Sequence, residues 1–242
     1  MLGKINVLDR GYVILHEVMG DDLTTVNAAR VSFNKKKEQL DEKDQRLIRF
    51  LAREGHTSPF RHSFLQFEVY APLMVARQWW KYVVGSDHIM DAWNESSRRY
   101  VTEEPEFYIP AYNEWRSAPT DRKQGSGEPV DVKLGTKLTL SLMGHVKRSV
   151  ELYEEALAAG VCAEQARLYL PAYGLFVRWY WSASLLSVAH LLNQRLAKDA
   201  QQEFSHYAAA VYKLAEPHFP YSLAELVRRD LIGGGQTENR DV

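Results

Sequence analysis

The chain has 242 residues, of which 45% are hydrophobic and 12% aromatic, so it can bury one sizeable core or two small ones. Its formal net charge of −1 excludes a general polyanion-coating function, and any phosphate contact must depend on a local cluster of basic residues. The single cysteine, Cys162, excludes an internal disulfide and a cysteine-rich metal site, and it favours a reducing compartment such as the cytoplasm.

The sequence contains neither a recognisable membrane span nor a secretion signal. Its most apolar stretch, near residues 175–192, is interrupted by Arg178 and His190 and falls short of the roughly 18 to 20 apolar residues of a span. The N-terminus carries several charges and lacks an apolar signal region. We therefore expect a cytoplasmic protein with no membrane partner, no nucleic-acid partner and no metal site.

The predicted strands lie in the first half of the chain. Residues 5–16 alternate weakly between apolar and polar, which predicts an edge strand, and Asp21 or Asp22 then caps a short helix that carries residues 26–31. The regular alternation over residues 63–70 predicts a second strand.

Two helices are predicted around this second strand. Asp41 follows a charged, solvated segment and precedes a helical pattern that ends at Gly55. Pro72 begins the next helix, which carries Gln78 and Lys81.

The second half of the chain is predominantly helical in pattern. Residues 115–131 are rich in Pro, Gly, Ser and charge and predict a surface loop, which is either a lid or without function. Helical periodicity follows over residues 134–159, 163–170, 174–194 and 198–217. We predict one α+β domain over residues 1–232, with an antiparallel or mixed sheet and a helical C-terminal half, and a flexible tail over residues 233–242.

The densest group of chemically functional residues lies between Ala76 and Tyr100. It combines tryptophans, amides, carboxylates, adjacent serines and paired arginines. Charged side chains are seldom buried without partners, and aromatic rings interleaved with arginine and asparagine suit a partly desolvated pocket for a flat, anionic ligand. A nucleotide fits that description.

The same segment resembles the signature of the flavin-dependent thymidylate synthases. Residues 77–80 read Arg-Gln-Trp-Trp, and residues 94–100 contain the family's Asn-Glu-x-Ser-x-Arg-Tyr. Residues 166–171 resemble its Ala-Arg-x-x-Leu-Pro, residues 193–203 its arginine and Ala-Gln-x-Glu block, and residues 53–62 the segment before the core strand. The matches follow in unbroken order from about residue 28 to about residue 225.

The resemblance implies methylation of a uridylate at C5, with FAD as cofactor and with NADPH and methylenetetrahydrofolate as co-substrates. Because negative charge develops on the pyrimidine ring, a fixed arginine would stabilise the reacting form, and the resemblance assigns that catalytic role to Arg195. Without the resemblance, Arg195 would be interpreted as a helix-surface arginine. The family builds each site from several subunits, so we also expect a homotetramer with shared active sites.

The resemblance also implies two sets of binding residues. The predicted substrate-binding residues are Gln78, Trp79, Trp80, Lys81, Glu95, Ser96, Ser97, Arg98, Arg99 and Arg167. The predicted flavin-side residues are Ser58, Lys81, Tyr82, Val83, His88, Glu95 and His190. Ser97 has no base at a motif spacing and is interpreted as a hydrogen-bonding contact, because an unactivated serine is a poor nucleophile.

The tryptophans allow two interpretations. Trp79, Trp80, Trp179 and Trp181 lie at helical spacings that are more typical of a core than of cofactor stacking. Trp93 belongs to a predicted loop and is the better candidate for stacking on a ligand ring.

The flavin side departs from the family pattern. Members usually carry Arg-His-Arg where this chain has Lys-Tyr-Val at residues 81–83, and an Asn-x-Arg is replaced by Ser-Leu-Leu at residues 184–186. We favour a rearranged flavin mode that uses Lys81, Tyr82, His88 and Arg61. The alternatives are a branch of the family that methylates UMP, and a uridylate-binding protein that has lost its flavin.

Overall fold

The computed structural model describes residues 1–31, 36–84, 92–96, 104–120 and 125–232. Within these residues an antiparallel sheet of five strands has the order β1-β2-β3-β5-β4. The strands are β1 Gly3–Val7, β2 Gly11–Met19, β3 Phe64–Pro72, β4 Ala92–Glu95 and β5 Phe176–Ser184. The helices are α1 Asp22–Ala29, α2 Glu42–Arg53, α3 Leu73–Trp79, α4 Lys81–Val84, α5 Val132–Ala158, α6 Ala163–Ala166, α7 Leu185–Arg195, α8 Gln202–Ala215, α9 Pro220–Leu226 and α10 Arg229–Ile232. The predicted α+β class is confirmed, with the helices concentrated in the second half of the chain.

The N-terminal strand prediction was wrong in one respect, because residues 5–16 form a hairpin and not one strand. Val7 pairs with Gly11 across a tight turn, in which Leu8 adopts the left-handed region with φ of 57°. Glycine is required at position 11 by a close approach: a Cβ there would lie 1.8 Å from the hydroxyl of Tyr207 on α8. The prediction of an edge strand is correct for β1 only, because β2 pairs with β1 on one side and with β3 on the other.

The helix predicted over residues 174–194 was wrong in its first half. Residues 176–184 form β5, which pairs with β3 on one side and β4 on the other. The buried Trp179 and Trp181 are two residues apart, which is the period of a strand, and the more exposed Tyr180 lies between them on the opposite face. Ser184 then caps α7 by accepting a hydrogen bond from the backbone N–H of Ser187.

The local helix signals are confirmed. Asp21 caps α1 and Asp41 caps α2, each in a reciprocal capping box with the residue three positions on. Gly55 follows α2 with φ of 68°, the left-handed conformation expected after a helix. Within residues 163–170 only α6 is α-helical, and residues 167–169 tighten into a 3₁₀ turn. A second 3₁₀ turn, Ser58–Arg61, precedes β3.

The core lies between one face of the sheet and helices α7 and α8, and tryptophans form its centre. The ring of Trp79 stacks on Phe204 with centroids 5.1 Å apart and meets Trp179 and Trp181 edge-on, each at 5.4 Å. The core interpretation is therefore confirmed for these three tryptophans, whereas Trp80 is 41% exposed. Among the described helices, not one combines the length and apolar character that a membrane crossing needs.

Candidate active site

A cavity of about 930 Å³ opens where α3 and α4 approach the start of α8. Its polar lining includes Gln78, Lys81, His145, Arg195, Gln201 and Glu203. Its aromatic lining comes from Tyr108 and Trp115 on the segment before α5, and from Tyr173 before β5. The volume lies in the upper part of the range typical of small-molecule sites, and the mixture of apolar walls with a few convergent polar groups is typical of them too.

Arg195, at the end of α7, is held at the cavity wall by neutral partners. Its Nε–H donates to the hydroxyl of Tyr82 at 2.6 Å, and one terminal nitrogen donates to the side-chain oxygen of Gln78 at 3.0 Å. The guanidinium also lies 5.1 Å from the ring centroid of Phe204 and 5.4 Å from that of Tyr82. No carboxylate among the described residues lies within ion-pair distance of Arg195, so its positive charge is not neutralised by an anion of the described chain.

The arrangement leaves Arg195 able to receive an anionic or polar ligand. A guanidinium has five N–H groups, and two of those of Arg195 bond to described residues. The remaining groups form the planar fork that recognises paired acceptors, such as the edge of a pyrimidine or a phosphate. Arg195, the residue predicted to be catalytic, therefore lies on the wall of the cavity, and its contact with a substrate stays a prediction.

The amide of Gln78 is oriented by a residue to which the sequence analysis gave no role. Its nitrogen donates to the side-chain oxygen of Gln201, which directs the oxygen of Gln78 towards Arg195. Gln201 belongs to the Ala-Gln-x-Glu block that carried part of the resemblance. That block was the one available signal, but only the fold shows that Gln201 contacts Gln78, 123 positions earlier in the chain.

A second unforeseen pair joins the predicted surface loop to α8. Arg116 and Glu203 form a half-buried ion pair at 3.4 Å, and both line the cavity. The loop is further attached by the indole N–H of Trp115, which donates to the hydroxyl of Thr139 on α5 at 2.9 Å. The described part of residues 115–131 therefore contributes to the wall of the cavity, although the sequence left its function open.

Tyr82 is 7% exposed and stays protonated at neutral pH. Burial raises the pKa of its hydroxyl above the ordinary value, and the neighbouring charge of Arg195 opposes that shift only in part. A neutral phenol accepts a hydrogen bond from Arg195 without cancelling the charge of the guanidinium. The sequence predicted that Tyr82 contacts the flavin, and the buried position of its side chain does not favour that role.

Other predicted nucleotide residues lie away from this cavity. Trp80, Trp93 and Glu95 surround a smaller cavity of about 200 Å³ beside Arg77. The sequence predicted that Trp93 lies in a loop, but this residue belongs to β4. Its ring stacks on Trp179 at 4.8 Å, and Trp80 meets it edge-on at 5.3 Å.

Three further predicted residues have other surroundings. The fully buried Trp79 has no surface with which to contact a ligand. Ser96 extends the β4–β5 ladder by bonding to the backbone of Arg178. Arg167 is exposed in its 3₁₀ turn, where its Nε–H donates to the carbonyl of Glu164 at 3.3 Å.

The predicted flavin-side residues lie on neighbouring elements. Ser58 is exposed at the start of the 3₁₀ turn that packs against α7, and His190 is exposed on α7 itself, edge-on to Tyr82 at 5.6 Å. Lys81 lines the large cavity. The described residues contain no cluster of His, Cys, Asp or Glu suited to a metal ion.

Several predicted residues lie in parts of the chain that the structure does not describe. Ser97, Arg98, Arg99 and His88 lie outside the described residues, as does the side chain of Val83. The structure therefore brings together Gln78, Lys81 and Arg195, and it separates them from Glu95 and Arg167 within one chain.

Comparison with known proteins agrees with this fold. Residues 14–221 match the family Thy1, described as thymidylate synthase complementing protein. The flavin-dependent thymidylate synthase of Thermotoga neapolitana is 39% identical over 226 residues, covering 93% of this chain and 94% of the relative. That of Thermus thermophilus is 37% identical over 231 residues, covering 95% of this chain and 80% of the relative.

A solved structure has the same architecture. The UMP/dUMP methylase PolB from Streptomyces cacaoi, bound with 5-Br dUMP, superposes with a TM-score of 0.77 at 25% identity, covering 91% of this chain and 96% of that one. The family match spans most of the sequence, and the identity to curated relatives extends over nearly its whole length. The chain therefore belongs to the family of flavin-dependent thymidylate synthases.

Proposed function

We propose that this protein catalyses the flavin-dependent reductive methylation of a uridylate at C5, with methylenetetrahydrofolate as carbon donor and NADPH as reductant. The observation that carries the proposal is Arg195, whose charge is held at the cavity by neutral partners. Methylation requires C5 of the uracil to become nucleophilic, so negative charge must develop on the ring, including its O4. A preorganised cation stabilises that charge more than it stabilises the neutral ground state.

The other cavity residues have supporting roles. Gln78 lies beside Arg195 and offers an amide to the uracil or ribose, and Lys81 adds a second positive charge at the same cavity. The aromatic walls offer apolar surfaces against which the uracil ring can pack. Bound reduced FAD would supply the hydride that completes the methyl group, and NADPH would restore the reduced form.

The described residues fit a flavin bound near α7. Ser58 and His190 are exposed polar side chains on elements that pack together, and they offer hydrogen-bonding groups to the edge of a planar ring. Lys81 supplies a cation where the family has an arginine. We therefore assign the flavin to a rearranged set of contacts. We also propose that the protein acts in the cytoplasm.

The site is completed by other copies of the chain in a homotetramer. Two features support this proposal: Arg167 is exposed and apart from the cavity, and Glu95 lies beside a separate, smaller cavity. A suitable contact surface exists on α5, which exposes Leu134, Leu140, Met143 and Leu157. Apolar residues grouped on an exposed helix are typical of a surface covered by a partner.

The choice between dUMP and UMP depends on how the cavity receives one 2′-hydroxyl. The solved relative is described as acting on both nucleotides, which favours testing both here. The alternative function, a uridylate-binding protein without flavin, would require that the cavity bind nucleotide and that purified protein retain no FAD.

The deciding experiment measures release of tritium from C5-labelled dUMP and, in parallel, from UMP. The purified protein is supplied with FAD, NADPH and methylenetetrahydrofolate, and each is omitted in turn. We expect release that depends on all three, and the faster nucleotide identifies the preferred substrate. Nucleotide binding without release, by protein that retains no flavin, would support the binding-protein alternative.

A further inference from the structure

We infer that Tyr82 is a positioning residue for Arg195: its hydroxyl fixes the plane of the guanidinium, so that the fork of this arginine faces the substrate. The inference rests on the proposed function, because it gives the fork of Arg195 a substrate to recognise. It replaces the predicted flavin contact of Tyr82 with a role in the reaction itself. The tyrosine at position 82 is then a functional substitution and not a lost element.

The contact geometry supports a role in orientation. The hydroxyl of Tyr82 accepts the Nε–H of Arg195 at 2.6 Å, and the side chain of Gln78 accepts from a terminal nitrogen at 3.0 Å. Two hydrogen bonds to different nitrogens of one planar group fix its rotation about the long axis of the side chain. The rings of Tyr82 and Phe204 lie beside the guanidinium and further limit its movement.

The chemical nature of the partner is equally important. A carboxylate in place of the phenol would form an ion pair with Arg195 and weaken its attraction for charge that develops on the substrate. A buried phenol accepts the hydrogen bond while remaining neutral, so the full charge of Arg195 is directed at the cavity. Tyr82 thus combines tight orientation with an unneutralised cation.

Tyr82 itself is well fixed. It is 7% exposed, and its ring meets Phe204 at 6.3 Å and His190 at 5.6 Å, both edge-on. Because the ring is held by packing, replacing Tyr82 with phenylalanine removes the hydroxyl while keeping the ring and its contact with the guanidinium. The substitution therefore isolates the hydrogen bond.

The test compares Tyr82→Phe with Tyr207→Phe in the flavin-loaded protein. Tyr207 is a matched control, since its buried hydroxyl donates one hydrogen bond, to the carbonyl of Tyr70 at 2.9 Å, and does not line the cavity. Hydrogen bonds to charged groups contribute roughly 1.5 to 3 kcal/mol, which corresponds to about 10- to 160-fold in rate. We expect kcat to fall within that range for Tyr82→Phe, with KM for the uridylate changed less than about threefold, and Tyr207→Phe to retain its turnover.

A second readout does not depend on turnover. Bromine at C5 makes N3–H of the uracil more acidic, so 5-bromo-dUMP presents an anionic base at moderately alkaline pH. A guanidinium fixed at the base should bind that anion more tightly, and calorimetry should show affinity rising with pH in the wild type and rising less in Tyr82→Phe. Flavin absorbance and the melting temperature are measured on the same samples.

The outcomes separate the two proposals. A wild type that turns over, with Tyr82→Phe equal to Tyr207→Phe in kcat and in pH dependence, overturns the positioning role and leaves the proposed function intact. Loss of bound flavin in Tyr82→Phe, in proportion to its lost activity, also overturns the positioning role and restores the flavin-side one. A wild type that neither binds nor methylates a uridylate refutes the proposed function, and the inference with it.

Discussion

Replacing Arg195 with lysine tests whether the shape of this cation, and not only its charge, is needed for turnover. Lysine keeps one positive charge but has a single nitrogen, and it cannot bond to both Tyr82 and Gln78 while presenting a fork to the substrate. The developing negative charge would then meet one donor fewer than in the wild type. Removal of one preorganised donor of this kind costs about 2.7 to 4 kcal/mol, or about 10²- to 10³-fold in kcat.

The assay is single-turnover release of tritium from C5-labelled uridylate by Arg195→Lys, compared with Arg30→Lys as a control. Arg30 is similarly half-buried but pairs with Asp44 at 2.6 Å, away from the cavity. We expect the control to retain wild-type turnover. A rate for Arg195→Lys within about threefold of the wild type would show that charge alone suffices and would refute the orientation argument.

Three further predictions concern stability and assembly. Trp79→Ala should reduce the free energy of unfolding by about 3 to 5 kcal/mol in urea titrations, because it empties the centre of the core, whereas Trp80→Ala, at a 41% exposed position that contacts Trp93, should reduce it by less. Burial raises the pKa of Glu68, but hydrogen bonds from a histidine and two tyrosines outweigh it and lower the pKa overall. The stabilisation from Glu68 is therefore present above its ordinary pKa and lost as pH falls through the lowered one, so Glu68→Gln should flatten the acid limb of unfolding measured against pH. Arg195→Ala and Arg167→Ala should each be inactive alone, and coexpression should restore part of the turnover if neighbouring chains share a site; no restoration would contradict the shared-site proposal.

Features fixed by neighbouring residues could be predicted from the sequence. The caps at Asp21 and Asp41 depend on side chains three positions from their partners, and Gly55 supplies a local left-handed turn. The strand β5 could not be separated from a helix by periodicity, because large apolar residues in its first two thirds occupy both faces and the strand runs directly into α7. Its pairing with β3, more than a hundred positions away, decides its conformation.

The candidate site was predictable only where a motif marked it. Gln78, Lys81 and Arg195 were named and lie on one cavity. Arg116 was not named, and Glu203 was given no role although it belongs to the Ala-Gln-x-Glu block, because an arginine in a polar loop and a glutamate in the first turn of a helix have ordinary surface interpretations. Their pairing depends on the path of a loop, for which the sequence provides no periodic signal.

One helical turn explains why consecutive motif residues do not share a role. Successive residues of a helix point about 100° apart, so neighbours in sequence face different surroundings. Gln78 faces the large cavity, Trp79 the core, and Trp80 the smaller cavity beside β4. The burial of Trp79 stabilises the position from which Gln78 reaches Arg195, and the contact of Trp80 with Trp93 attaches the same turn to the sheet. Contiguity in the motif therefore reflects one structural unit in which a single residue, Gln78, lines the large cavity and its neighbours hold it there.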